Sequence, residues 1–129
     1  MNDLTIKSEH MLDIIENNDL SNLIQPLIKE IYLFDSYIAG TTHLKEPSVL
    51  ESLEINQKLN LVRENNKFDE NAILIQTEEG IKCGYIPERD NIVFSRLMDA
   101  GKLLIARIKE INKKHNFYQI KIQIYLIDF

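Results

Sequence analysis

The residues best able to do chemistry fall in two short stretches of the 129-residue chain. The first runs Leu61-Val62-Arg63-Glu64-Asn65-Asn66-Lys67-Phe68-Asp69-Glu70-Asn71-Ala72-Ile73, where one strand pattern enters a polar loop and another leaves it. Phe68 offers an aromatic face that can stack on a base or sugar, and Asp69 beside it can accept hydrogen bonds from hydroxyls. That pairing suits the end of a polynucleotide. The structural alternative, which spacing alone favours, has Phe68 plugging one end of the fold while Asp69 ties its own turn through backbone amides. The second stretch is Gly84-Tyr85-Ile86-Pro87, followed by Asn91 and then Leu97-Met98-Asp99-Ala100-Gly101-Lys102.

Enzymatic chemistry has little to work with. The chain holds no GxSxG, HExxH or CxxC pattern, and Gly101-Lys102 is followed by Leu103 without the upstream glycine a phosphate loop needs. His10, His43 and His115 sit in three distant segments, so each reads as a surface histidine rather than a metal ligand. Cys83 lies inside an apolar strand pattern, which points to packing despite the neighbouring Lys82. A single thiol permits no internal disulfide and no thiolate zinc site, and suits a reducing compartment. No catalytic residue, metal or cofactor is expected.

The elements that must position the two stretches follow from charge and periodicity. Of a formal net charge of −5, all is accounted for by residues 1–36, with seven acids against Lys7 and Lys29; residues 37–129 hold 13 charges of each sign. Within that neutral body, residues 101–129 carry six cations against Glu110 and Asp128. The acidic segment reads as a helical hairpin. Ser8 caps a first helix with Met11, Leu12, Ile14 and Ile15, and Ser21 or Asn22 a second whose apolar face runs through Leu20, Leu23, Ile24, Leu27, Ile28 and Ile31. From Tyr32 the pattern turns to β. Strands are expected over Tyr32–Ala39, Gln57–Arg63, Ala72–Gln76, Ile81–Ile86, Leu103–Ile111 and Tyr118–Leu126, with one helical turn at Pro47–Ser52. One helix, capped by Asp90 or Asn91, runs to Gly101, and Lys113-Lys114-His115-Asn116 forms a polar hairpin loop. Five or six short strands around one packed helix predict a mainly β, α+β domain: a small oligonucleotide-binding-like antiparallel barrel over residues 32–129, preceded by an acidic helical extension over 1–31. No membrane-spanning run or secretory signal is readable, so a cytoplasmic protein without membrane contact is expected.

Taken together, Phe68-Asp69-x-Asn71-Ala72-Ile73 and the spaced Gly84-Tyr85-Ile86-Pro87, with the helix from Leu97 to Gly101, resemble the HIRAN domain over about residues 32–126. That module is found at the N-terminus of fork-remodelling helicase-like translocases and as small free-standing bacterial proteins. The resemblance implies an oligonucleotide-binding-like barrel with a pocket for the 3′-hydroxyl end of single-stranded DNA. By position it makes Phe68 a stacking aromatic, Asp69 the acceptor for the terminal hydroxyl, Tyr85 a backbone or sugar contact and Phe117 a second aromatic wall. Two departures bear on phosphate binding. After Gly40, where DNA-binding relatives place an arginine and an aromatic, this chain has Thr42 and His43. Where they place a phosphate-binding lysine after the Gly-aromatic strand, it has Glu88, with Arg89 one step away. Lys113, Lys114 and Lys121 of the last hairpin could substitute.

The expected function is therefore a non-enzymatic nucleic-acid-binding module, linked to DNA repair or replication. It would recognise single-stranded DNA or its 3′ end through Phe68, Asp69, Tyr85 and Phe117, with His43, Arg89, Lys113 and Lys114 as further contacts, and with weak, salt-sensitive affinity. Nucleotide hydrolysis in fused relatives belongs to separate motor domains. The alternative is a protein-interaction or oligomerisation scaffold, in which residues 1–31 dock a partner or a second copy.

Overall fold

The computed structural model describes residues 28–128, so the first expected helix, and most of the second, lie outside the described residues. Glu30–Asp128 forms a compact unit. The chain is already extended at Lys29: β1 spans Lys29–Tyr37, earlier than the expected start at Tyr32, and Ile31 belongs to this strand rather than to a helix face. The run Ile31-Tyr32-Leu33-Phe34 is rich in residues that favour a pleated surface, and β6 beside it supplies the ladder. Two 3₁₀ turns follow at Thr41–His43 and Pro47–Ser52. Then come β2 (Lys58–Arg63), β3 (Ile73–Gln76), β4 (Lys82–Tyr85), α1 (Glu88–Asp99), β5 (Leu103–Lys114) and β6 (Phe117–Asp128).

The six strands make one sheet in the order β1-β6-β5-β2-β3-β4. Its β2·β3, β2·β5, β3·β4 and β5·β6 pairs are antiparallel. It curls into a half-barrel whose two outer strands approach each other. Just past β1, Ala39 exchanges both backbone hydrogen bonds with Tyr85 of β4, at 2.8 and 2.9 Å. Gly84 makes this approach feasible. Its φ is +150°, and a Cβ there would lie 2.3 Å from the Ala39 carbonyl oxygen and 2.6 Å from Ile38 Cγ2. A glycine before the aromatic is thus required by the crossing of another backbone.

Inside the curl sit alternate residues of each strand: Leu59 and Leu61, Ile73 and Ile75, Leu104, Ala106 and Ile108, and Ile120, Ile122 and Ile124. The extra residue Lys109, between the pairs Ile108·Ile122 and Glu110·Lys121, keeps the later residue Ile111 opposite Ile120 and so in phase with the core. Helix α1 places Asn91, Phe94 and Ser95 inward at helical spacing. It starts at Glu88, and Pro87, not Asp90 or Asn91, is its N-cap, without a side-chain hydrogen bond. Both expected caps are spent elsewhere: Asp90 accepts the Ser36 hydroxyl at 2.7 Å, and Asn91 donates to Asp69. At the other end the amides of Gly101 and Lys102 return to the carbonyls of Met98 and Leu97, with Gly101 at φ +94°, as expected for a glycine terminator. The β5–β6 hairpin is tighter than expected. Lys113 and Lys114 pair with Tyr118 and Phe117, leaving His115 and Asn116 as the turn. No helix among the described residues is long and apolar enough to cross a membrane.

Candidate functional site

The Asn66–Ala72 loop is built from two successive Asx turns. Asn66 Oδ1 accepts the amides of Phe68 (2.7 Å) and Asp69 (3.2 Å), and Asp69 Oδ1 accepts the amide of Asn71 (2.9 Å). The other Asp69 oxygen accepts a hydrogen bond from Asn91 Nδ2 at 2.8 Å, and Asn91 is 2% exposed. Arg63 fastens the loop from the strand side. Its guanidinium donates to the carbonyls of Ala72 and Glu70 and grips Asp99 through Nε (2.9 Å) and Nη2 (3.2 Å). The Arg63 hydrogen bonds hold the Asp99 carboxyl below the usual carboxylate range. The loop is thus tied to both ends of α1: Asn91 near its start, Asp99 at its last residue.

The structural alternative for this loop holds at one residue of the two. Asp69 does tie its own turn. Phe68 does not plug the barrel; it stands 86% exposed at the loop tip. Below it lies a cavity of about 220 Å³ lined by Ala39, Asn66, Phe68, Asp69, Ala72, Tyr85, Ile86 and Glu88. Each carboxylate oxygen of Asp69 has one protein partner and keeps the capacity to accept a second donor. A hydroxyl-bearing group entering beneath Phe68 therefore meets a carboxylate held by two hydrogen bonds, one on each oxygen.

Tyr85 is held as firmly. Its hydroxyl donates to Glu64 Oε1 at 2.7 Å, which also accepts from Asn66 Nδ2 at 3.2 Å, and Lys82 Nζ donates to the Tyr85 oxygen at 3.2 Å. Lys82 and Tyr85 share a side of β4 because Cys83 is an extra residue: Gln76 pairs with Lys82 but Ile75 with Gly84. Lys82 Nζ lies 4.4 Å from the Tyr85 ring centroid, and Lys67 Nζ lies 5.3 Å from that of Phe68. Cys83 itself is buried in the core, and burial pushes its thiol up to about 11.

The expected site residues divide. Phe68, Asp69 and Tyr85 meet in the one cavity, with Glu88 at its edge. Phe117 and Lys113 line a second concavity of about 620 Å³ with Thr41, Thr42, His115 and Tyr118; Lys113 lies over the Tyr118 ring. Lys114 pairs with Phe117 where the hairpin turns. His43 lies in a third, of about 430 Å³, together with Lys45 and Lys82. Arg89 points to an apolar groove of about 390 Å³ that includes Leu33, Phe34, Val93 and Phe94, and sits 3.7 Å from Asp90. Lys121 is near Glu110. The first three concavities border one stretch of chain, Ala39–His43. Sequence reasoning named Glu64, Asn66, Lys67 and Asn91 within the two stretches without giving them contacts, and noted Lys82 only as the neighbour of Cys83. For Lys82 and Tyr85, three residues apart, strict strand alternation assigns opposite faces, and the bulge at Cys83 overrides it.

The model of the HIRAN domain matches residues 31–127, more than half of the chain. No curated protein matches. Among solved structures, a protein from Lactobacillus plantarum superposes with a TM-score of 0.73 at 22% identity, covering 79% of this chain and 99% of that one. The HIRAN domain of human HLTF superposes with a TM-score of 0.62 at 14% identity, covering 78% of each chain. With the glycine at the barrel closure, the Phe-Asp loop and the oligonucleotide-binding-like half-barrel in agreement, the chain belongs to the HIRAN domain family.

Proposed function

We infer that this chain is a non-enzymatic module that binds single-stranded DNA at an exposed 3′ end. The observation that carries the reading is Phe68, 86% exposed, standing beside the fixed Asp69 carboxylate at the mouth of a 220 Å³ cavity. The ring stacks on the terminal base or sugar, and Asp69 accepts a hydrogen bond from the terminal hydroxyl. Tyr85, braced by Glu64, makes the inner wall. The strand then runs past Thr41 toward Phe117, Lys113 and Lys114, where a second base finds an aromatic surface. A terminal phosphate is disfavoured, because it would bring negative charge against Asp69 with Glu88 close by.

Fluorescence anisotropy with an oligonucleotide ending in a free 3′-hydroxyl, compared with its 3′-phosphorylated form at low salt, tests this. Expected are tighter binding of the free end, and a loss of about 1–3 kcal/mol for Phe68→Ala, the worth of one stacked base. Asp69→Ala should erase the preference between the two ends. No binding of either oligonucleotide, or equal binding untouched by both substitutions, sinks the reading.

A second reading, self-association, is favoured by the apolar groove between β1 and α1, where Phe34 is 41% and Val93 62% exposed. Light scattering on the full chain over a range of concentrations separates the two: a mass that stays monomeric removes it.

A further inference from the structure

We propose that Lys67 and Lys82, the two lysines resting on the cavity's aromatic rings, are the phosphate contacts of this site; the proposal rests on the DNA-end reading above. The cavity poses an electrostatic problem. Asp69 and Glu88 line it, and Glu64 stands behind Tyr85, so its immediate surroundings are acidic. A nucleotide carries a phosphate on the 5′ side of its sugar, and binding it there requires cations close by. The basic residues expected for this task are directed elsewhere: Arg89 to the apolar groove, Lys113 to the second concavity.

Lys82, which also borders the third concavity, and Lys67 meet the requirement through the two cavity-lining rings on which they lie. Lys82 is exposed and its ammonium spends one of three donors on the Tyr85 oxygen, leaving two for an incoming oxyanion. That hydrogen bond and the 4.4 Å approach to the ring fix a side chain that would otherwise lose several rotamers on binding. Lys67 is exposed and lies over Phe68 at 5.3 Å, so a base sliding onto that ring displaces or flanks the ammonium and brings its phosphate beside it. Neither belongs to the described carboxylate pairs, whose lysines are Lys58, Lys109 and Lys121. The bulge at Cys83 is what turns Lys82 toward Tyr85, so this cation comes from inside β4, upstream of Gly84, instead of from the helix start after it.

The test is the salt dependence of binding to the free-ended oligonucleotide. Lys82→Gln and Lys67→Gln should each weaken binding for every base sequence alike. Each should also reduce the slope of log affinity against log salt by about 0.7, one single-strand phosphate contact. Lys82→Arg should restore the slope. Lys102→Gln, beyond the far end of α1 and about 18 Å of helix away from the cavity edge, is the control and should change nothing. If both glutamine variants keep the parent slope, the proposal is overturned while end recognition stands. If the parent protein does not bind, the failure belongs to the end-binding reading. Preserved thermal melting of the variants assigns any loss to contact rather than to unfolding.

Discussion

Two adjacent side chains, Phe68 and Asp69, carry the proposed recognition, and their costs to the fold differ. Phe68 buries little, so its replacement by alanine should leave the melting temperature close to that of the parent while it damages binding. Asp69 accepts from both the Asn71 amide and the buried Asn91, so Asp69→Ala carries a stability cost of about 1–3 kcal/mol as well. Reading the two substitutions together therefore keeps recognition apart from folding. Cys83 belongs to the same scale. Its pKa is raised from an ordinary 9.0 to about 11 because burial disfavours the thiolate. The native thiol should react with an aromatic disulfide reagent far more slowly than the urea-unfolded chain does. The neutral thiol also favours folding below pH 9, a contribution lost as pH rises toward 11. Equal rates in native and unfolded protein would contradict the burial.

Element boundaries show how much local pattern can convey. Alternation along Lys58–Arg63 and Tyr118–Leu126 was enough to place those strands and their buried faces, because a period of two leaves no ambiguity where one face is wet. The turn that Asp69 ties was legible too, because Asp in a loop accepts backbone amides a residue or two on. What local pattern could not convey is long-range. Asn91 resembles a cap but its amide is claimed by Asp69, 22 residues away. Lys82 meets Tyr85 only through a bulge, and Phe117 lines a neighbouring concavity because the β5–β6 hairpin turns tightly at His115 and Asn116. Gly84 carries the sharpest prediction at this scale. Gly84→Ala should cost about 2–4 kcal/mol, from overpacking against Ala39 plus backbone strain. Gly80→Ala, where a Cβ meets nothing within 4 Å, should cost only the conformational part, about 1–2 kcal/mol. Urea midpoints measure both; equal shifts would mean that the Ala39 crossing imposes no constraint.

On the scale of the whole molecule, the charge asymmetry of the sequence is partly cancelled by folding. Glu30 and Asp35, from the acidic first 36 residues, sit on β1, and Arg107 and Lys109 of β5 reach them across β6 at 2.6 and 3.0 Å. Arg107 lowers the Glu30 pKa mainly by hydrogen bonding, and Tyr32 and then Lys109 lower that of Asp35. Together with Asp99 these carboxylates titrate lower in the folded than in the unfolded chain. Their contribution is therefore present at neutral pH and disappears as pH falls through the lowered values. Melting temperature should hold between pH 7 and 5 and drop below about pH 4, the ordinary carboxylate range. Glu30→Gln should flatten that drop; a slope identical to the parent would remove Glu30 from the account.

The hydrogen-bonded meeting of Ala39 with Tyr85 makes the cavity beneath Phe68 a seam, with strands from opposite ends of the sheet on its two sides. The strand end proposed to sit there would work as a clasp. If the proposed end binds, it would touch both lips at once and resist opening of the barrel, and each occupied molecule would be harder to unfold by an amount set by ligand concentration over the dissociation constant. Under the proposed function, recognition of a chain terminus and closure of the protein's own sheet would be, at this seam, one mechanical event.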